Sequence, residues 1–443
     1  MVVPFLSWLV ACPKGPAGVP TPGPTADSAP PRLVVLVVVD QLPIRLLDAT
    51  KEWFTGGFSR LTGPTAWTGV GHYAHATTFT CPGHATLSTG AAPSVSGIVS
   101  NDWVADGKPQ YCGDAALLRV PTLADQVAAA GGSVGSISLK DRGAIMLGGS
   151  HANLVAWWDK KALRFTPPLD DLDPAPYLAS PWTASHPEAY AARMPDAGPT
   201  EADPGIGTTF PHPAVADQPG AFLFTPFAGS ALTDAAIATV DRLDLGADDT
   251  ADLLTVSYSQ IDYIGHAFTS ESWEALDGMV RLDADLARLF AHLDQKVGAD
   301  RYTVFLSADH GSTPTGGARV PYPQVEEAAK AVLAARGVAG EVAWDSPSLW
   351  LPPEVRTDPA VRGPLAIAVA EAIRAIPGIG GAWAWKDQPV DGPYADAVNL
   401  SLDPDRSGDV YVLLAPGALY DDPGDPGKGT SHGTPYDDDT RVP

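Results

Sequence analysis

The sequence predicts an α/β fold: a doubly wound, mostly parallel sheet with helices on both faces, plus an inserted cap region. Three observations carry this reading. Residues 33–39, LVVLVVV, are an unbroken, mostly β-branched run, as expected of a strand buried on both faces. Helical and strand patterns then alternate, as crossovers between parallel strands require. Polar or titratable residues follow several strand ends (Asp40, Lys140, Asp262 and Asp309), and in such a sheet those ends share the edge where ligands bind.

The first 31 residues stand apart. Leu9-Val10-Ala11-Cys12 has the form of a bacterial lipobox, although no Lys or Arg precedes the apolar run. The following stretch to Pro31 is rich in Pro, Gly and small polar residues and reads as a tether. The expectation is an exported protein, periplasmic or anchored at the outer membrane by a lipid on Cys12. Residues 32–443 then form one domain. After the first strand, residues 80–89 read as a helix, with Pro82 in its first turn and Gly90 at its stop. Residues 122–130 look helical and 133–139 like a strand; 233–243 helical and 253–257 a strand; 274–297 a long amphipathic helix and 302–307 a strand. Residues 159–220 are Pro-rich and aperiodic and read as a surface insertion. Residues 323–414, with a helix near 361–376 and a strand at 410–414, read as a cap over the site.

Composition excludes several classes. Of 443 residues, 28 are Lys or Arg and 52 Asp or Glu, a formal charge of −24. Nucleic-acid binding needs basic patches, so that partner is not expected. An anionic substrate would have to be held by local cations against the global field. An apolar share of 45% excludes wholesale disorder. Apart from Cys12, Cys81 and Cys112 are the cysteines present, either one disulfide of an exported protein or two free thiols.

Several motifs bear chemistry. Asp262-Tyr-Ile-Gly-His266 places a carboxylate and an imidazole on one face of a helical turn, within reach of one metal. Asp309-His310 closes a strand; neighbours on a strand point oppositely, so the pair suits two adjacent metals or a distorted turn. Ser431-His432-Gly433 offers a further imidazole in a Gly-rich loop. Thr80 begins its helix, where free N–H groups and the dipole favour a phosphoryl group, although a plain N-cap is the commoner use of such a Thr. His72, His75, His84 and His151 are given no role, and His84 reads as structural.

In order, the chain presents Asp40, Thr80, Asp262-xxx-His266, Asp309-His310 and His432, within stretches such as TCPGHA, GIVSNDW, DYIGH and SADHG. This set resembles the alkaline phosphatase superfamily, specifically its branch of nucleotide pyrophosphatase/phosphodiesterases and PafA-type phosphatases. The resemblance implies two zinc ions, one held by Asp262, His266 and His432, the other by Asp40, Asp309 and His310 with Thr80 in its shell. It also implies that Thr80 is the nucleophile, forming a phosphothreonine. Asn101, Lys140 and Arg142 would bind the phosphoryl oxygens.

Charge arithmetic favours phosphate monoesters as substrates. Two Zn²⁺ balance Asp40, Asp262, Asp309 and a Thr80 alkoxide, so Lys140 and Arg142 leave the surplus of two that a monoester dianion matches. A phosphodiesterase or nucleotide pyrophosphatase would share the metal set without needing those two cations. A sulfatase would need an Arg in C/S-x-P-x-R that Cys81-Pro82-Gly83-His84 does not supply. From another class, a lipid-tethered protein that binds phosphorylated ligands without turnover would use the same metals. The chain ends eleven residues after His432. The family resemblance leads one to expect a further strand and helices there, so a truncated C-terminus is expected to loosen the His432 loop.

Overall fold

The run Leu33–Val39 (β1) becomes the second strand from one edge of a six-stranded sheet in the computed structural model. The structure describes residues 30–105, 107–169 and 172–443, so Cys12 and the tether lie outside the described residues. Residues 31–443 form a single unit. The other strands of the sheet are Val134–Ser138 (β2), Leu154–Asp159 (β3), Arg164–Thr166 (β4), Asp252–Tyr258 (β5) and Tyr302–Ser307 (β6). Their order is β4-β3-β2-β5-β1-β6, and every pairing is parallel except that of β3 with β4. The continuous apolar sequence of β1 follows from burial on both faces, and β5 (DLLTVSY) is buried along its whole length; Val35, Val37, Leu254 and Val256 are fully buried. Each such side chain contributes about 1.5–3 kcal/mol by leaving water.

Helices α1 Thr80–Thr89, α2 Leu123–Ala129, α3 Asp141–Gly148, α4 Phe227–Arg242, α5 Gln260–Phe268 and α6 Trp273–Leu293 flank the sheet. Thr122 and Asp125 form a capping box at the start of α2. The helix expected over 274–297 gives way to a π-turn at Asp294–Gly298. Strands β3 and β4 fall outside the expected elements, although LVAWWD alternates buried and half-buried side chains as a strand should.

The expected surface insertion, 159–220, is not confined to the surface. Its Trp182, Tyr190, Ile206 and Val215 are buried in the main core. Asp277 of α6 anchors it, accepting from Trp182 Nε1 at 2.6 Å and Tyr190 Oη at 3.2 Å. Aromatic anchors of this kind leave no periodic signal. Within 323–414, four antiparallel strands (Ala343–Asp345, Ser348–Trp350, Val410–Leu414 and Ile379–Trp383, in that spatial order) pack with helices Pro323–Ala335 and Pro359–Arg374 around a separate apolar cluster. Near the end of the chain, Arg441–Val442 pairs with Gly71–His72.

Candidate active site

Parallel strands β1, β2, β5 and β6 deliver their carboxyl ends to one edge, which gathers Asp40, Lys140, α5 and Asp309. Two ligand groups stand there, Asp262/His266/His432 and Asp40/Asp309/His310, each with its donor atoms within 4.8 Å of one another. Helix α5 carries Asp262 and His266 one turn apart, with His266 Nε2 3.2 Å from Asp262 Oδ1. Asp309 and His310 lie beyond the end of β6, in irregular backbone, so both turn into one group. Of the two geometries open to that pair, the distorted turn is the one adopted. The rings of His310 and His432 stack with centroids 3.6 Å apart, which brings the two groups side by side.

Each ligating imidazole is held from behind by a main-chain carbonyl. His266 Nδ1 meets Thr430 O at 2.8 Å, His432 Nδ1 meets Thr78 O at 2.8 Å, and His310 Nδ1 meets Gly311 O at 2.9 Å. A carbonyl only accepts, so Nδ1 carries the proton and Nε2 presents its lone pair to the site. Burial raises the Asp40 carboxyl to about 7, with Asp262 and Asp309 adding to the rise. Asp40 Oδ1 and His310 Nε2 are buried without a hydrogen bond. Three buried carboxylates face a single lysine: Lys140 Nζ lies 2.5 Å from Asp262 and 2.8 Å from Asp40. The carboxylates outnumber the lysine that contacts them, and orphaned carboxylate and imidazole atoms are the donors that divalent metals such as zinc take. The residues present therefore fit the two-metal assignment.

Thr80 is the first residue of α1 and is buried. The N-cap position belongs to Phe79, and no side chain caps this helix. The Thr80 hydroxyl is thus not spent on capping, and Lys140 Nζ approaches it at 3.5 Å. The next amide, Cys81 N–H, donates to Asn101 Oδ1 at 2.9 Å, which leaves the Asn101 amino group as a donor. Cys81 and Cys112 are joined in a disulfide, tying α1 to the hairpin that follows Asn101. Arg142, in the first turn of α3, has its Nε buried and unpartnered. Tyr111 from the hairpin stands beside it and donates to Asp141 at 2.6 Å.

Two residues without a sequence-based role support the ligands. The main-chain N–H of Gln41 donates to Asp309 Oδ1 and its side chain to Asp262 Oδ1, both at 3.1 Å, so it bridges the two groups. It does so at φ 62°, a conformation rare for a residue with a Cβ. His84, read as structural, is buried between Thr80 O at 2.8 Å, Asp309 Oδ2 at 3.1 Å and Ser257 Oγ at 2.7 Å. It is satisfied, as expected, and its partners are the Thr80 carbonyl and a carboxylate of the Asp40/Asp309/His310 group.

The sequence pattern of the "Type I phosphodiesterase / nucleotide pyrophosphatase" family matches residues 34–435. The chain belongs to this family. Among family relatives, alkaline phosphatase PhoK of Sphingomonas sp is 30% identical, over 94% of this chain and 83% of PhoK. Alkaline phosphatase PafA of Elizabethkingia meningoseptica is 32% identical over 65% of this chain and 61% of its own length. The crystal structure of PafA superposes with a TM-score of 0.86 at 26% identity, covering 93% of this chain and 90% of that one. The fold extends to murine ectonucleotide pyrophosphatase/phosphodiesterase 5, at a TM-score of 0.58 and 14% identity. The mostly parallel sheet is thus the fold of this family.

Proposed function

We propose that this alkaline-phosphatase-type hydrolase is an exported, zinc-dependent enzyme that hydrolyses phosphate monoesters through a phosphothreonine on Thr80. The observation that carries the reading is the convergence of two carboxylate–imidazole groups, an uncapped Thr80 hydroxyl and Lys140 at one sheet edge. The names borne by PhoK and PafA agree with it. Asp262, His266 and His432 would hold one zinc, and Asp40, Asp309 and His310 the other. When bound, zinc lowers the pKa of nearby hydroxyls and offsets charge on attacking and departing oxygens.

Thr80 Oγ attacks phosphorus in line; the Oγ–P bond forms as the bond to the ester oxygen breaks and the alcohol departs. Water then attacks the phosphothreonine, returning the Thr80 hydroxyl and releasing inorganic phosphate. The Asn101 amino group, oriented by its acceptance from Cys81 N–H, donates to the transferring group. Lys140 and Arg142 add two positive charges against the phosphoryl oxygens, matching a dianion better than a diester monoanion. Export rests on the lipobox-like stretch ending at Cys12, and the disulfide between Cys81 and Cys112 suits an oxidising compartment. Palmitate-analogue labelling abolished by Cys12→Ser is the expected result for a lipid anchor.

The test is kcat/KM for p-nitrophenyl phosphate and its bis-ester on zinc-loaded protein at alkaline pH. A large monoester preference is expected. A diester preference would move the enzyme to the phosphodiesterase or nucleotide pyrophosphatase reading, which uses the same metal groups. A stable phosphate complex without turnover would favour the non-catalytic binding reading.

A further inference from the structure

A cleft of about 440 Å³ opens beside Asn101 and His432. Phe79 forms one side, its ring edge-on to His432 at 5.6 Å. Tyr322 and Tyr420 also line it, with ring centroids 5.4 Å apart, and Trp344 packs against both at 5.6 and 5.7 Å. The Tyr420 hydroxyl is buried without a hydrogen-bond partner. Among the described residues that line the cleft, four are Asp (102, 345, 421 and 422) and none is Lys or Arg.

These walls come from separate parts of the fold. Asp102 follows Asn101 directly, Asp345 ends a strand of the cap sheet, and Tyr420 and Asp421 lie in Leu419–Asp421, paired in parallel with Arg319–Pro321. Asp345 is half-buried, and Tyr322 Oη donates to it at 3.4 Å. Burial lifts its carboxyl to about 6, with Asp102 adding to the rise, so it is ionised at alkaline pH. An aromatic wall with a carboxylate rim attracts a cation and repels an anion.

We propose that this cleft is a leaving-group subsite selective for phosphomonoesters whose alcohol carries a quaternary or primary ammonium group. The inference rests on the monoesterase reading, since it takes the cleft beside Asn101 and His432 to receive the departing alcohol. The cation would lie against the rings of Tyr322 and Tyr420, with Asp345 and Asp421 supplying the opposing charge. Esters with anionic alcohols would be disfavoured by the same carboxylates.

The experiment compares phosphocholine with its neutral isostere, 3,3-dimethylbutyl phosphate, which differs only in replacing the ammonium nitrogen by carbon. On wild-type zinc-loaded protein, kcat/KM for phosphocholine is expected to exceed that of the isostere by about 10-fold. Asp345→Asn and Tyr420→Leu should each collapse that ratio towards one by lowering phosphocholine turnover more than that of the isostere. Calorimetric titration of both esters into Thr80→Ala gives the same comparison as a ratio of Kd, without turnover. Equal affinities, or variants that lower both esters alike, would overturn the subsite even if the protein is a phosphatase. A Kd ratio near 10 with no hydrolysis of either ester would uphold the subsite and sink the monoesterase reading instead.

Discussion

Gly83→Ala separates the positioning of Thr80, the proposed nucleophile, from the stability of its helix. Gly83 sits in the first turn of α1, where that helix crosses the strand-end segment carrying Asp309. A Cβ built at Gly83 would stand 2.2 Å from the Asp309 carbonyl oxygen and 2.8 Å from its carbonyl carbon. Real Cβ contacts are essentially never below 3.0 Å, so helix and segment must part by at least about 0.8 Å. The obstacle is backbone and has no rotamer to yield. Overpacking of this kind costs about 1–3 kcal/mol. On the proposed phosphothreonine mechanism, Thr80 and the Asp40/Asp309/His310 group meet the same phosphorus, so a misplacement near 1 Å costs about 10²-fold in rate. Gly90→Ala is the matched control on the same helix. Nothing lies within 4 Å of its Cβ, and the cost comes from φ +69°, about 1 kcal/mol. Expected results are a fall in kcat/KM of about 10²-fold for Gly83→Ala and little change for Gly90→Ala, with Tm lowered in both. Wild-type kcat/KM in Gly83→Ala, or equal losses in the two variants, would refute the close-approach argument.

Lys140→Ala should lower kcat/KM for p-nitrophenyl phosphate by about 10²-fold, from loss of a charge-assisted contact, and that for the bis-ester by less than about 10-fold; equal losses would remove its role in reading the dianion. Chelation should abolish turnover and lower Tm, and zinc at about 10³ times its Kd should restore about 4 kcal/mol of stability; an unchanged Tm would mean the ligands are satisfied without metal. Glu201→Gln should stabilise the protein at pH 9 and have little effect at pH 4. Burial, with Glu274 adding, raises the Glu201 carboxyl to about 8. The native state therefore binds the extra proton between about 4.5 and 8, and stability falls as pH rises through that window, by a few kcal/mol in order of magnitude. Denaturant midpoints across pH check the sign, and a variant whose pH profile parallels the wild type would refute it.

The sequence carried the site where chemistry leaves a spacing. Asp262 and His266 are one helical turn apart, and Asp40, Lys140 and Asp309 each follow an apolar strand, so sheet topology alone gathers them. Gln41 left no such trace. Glutamine is not a customary metal ligand, and its bridging role depends on a positive φ and on open space opposite. A Cβ at Gly265 would lie 2.0 Å from Gln41 Oε1. Neither condition is visible before the fold exists. The same holds for residues 159–220, whose buried Trp182 and Tyr190 are held by Asp277 rather than by any periodic face. The pairing of Cys81 with Cys112 likewise required the hairpin after Asn101 to be placed against α1.

The late loop is bound to the segment preceding Thr80 from both directions. His432 Nδ1 donates to Thr78 O, and Thr78 Oγ1 donates in turn to Thr434 O at 2.9 Å. His266, on α5, donates to Thr430 O, so three distant stretches are fixed by bonds that also set which imidazole nitrogen faces the site. Gly311 N–H and Ser312 N–H donate to Asp439 O and Asp438 O at 2.8 and 3.0 Å, linking the Asp309-His310 turn to the same C-terminal region. Ligand orientation here is therefore a property of tertiary closure rather than of any one element. A change that opens the 430–440 region must release His432 and the backing of His266 together, weakening one ligand group at two of its three donors. Metal affinity and global stability should consequently fall in step in variants such as Thr78→Val, where a single hydroxyl at the seam is lost. A variant that lowered Tm while leaving zinc affinity untouched would show that the loop and the metal site are separable.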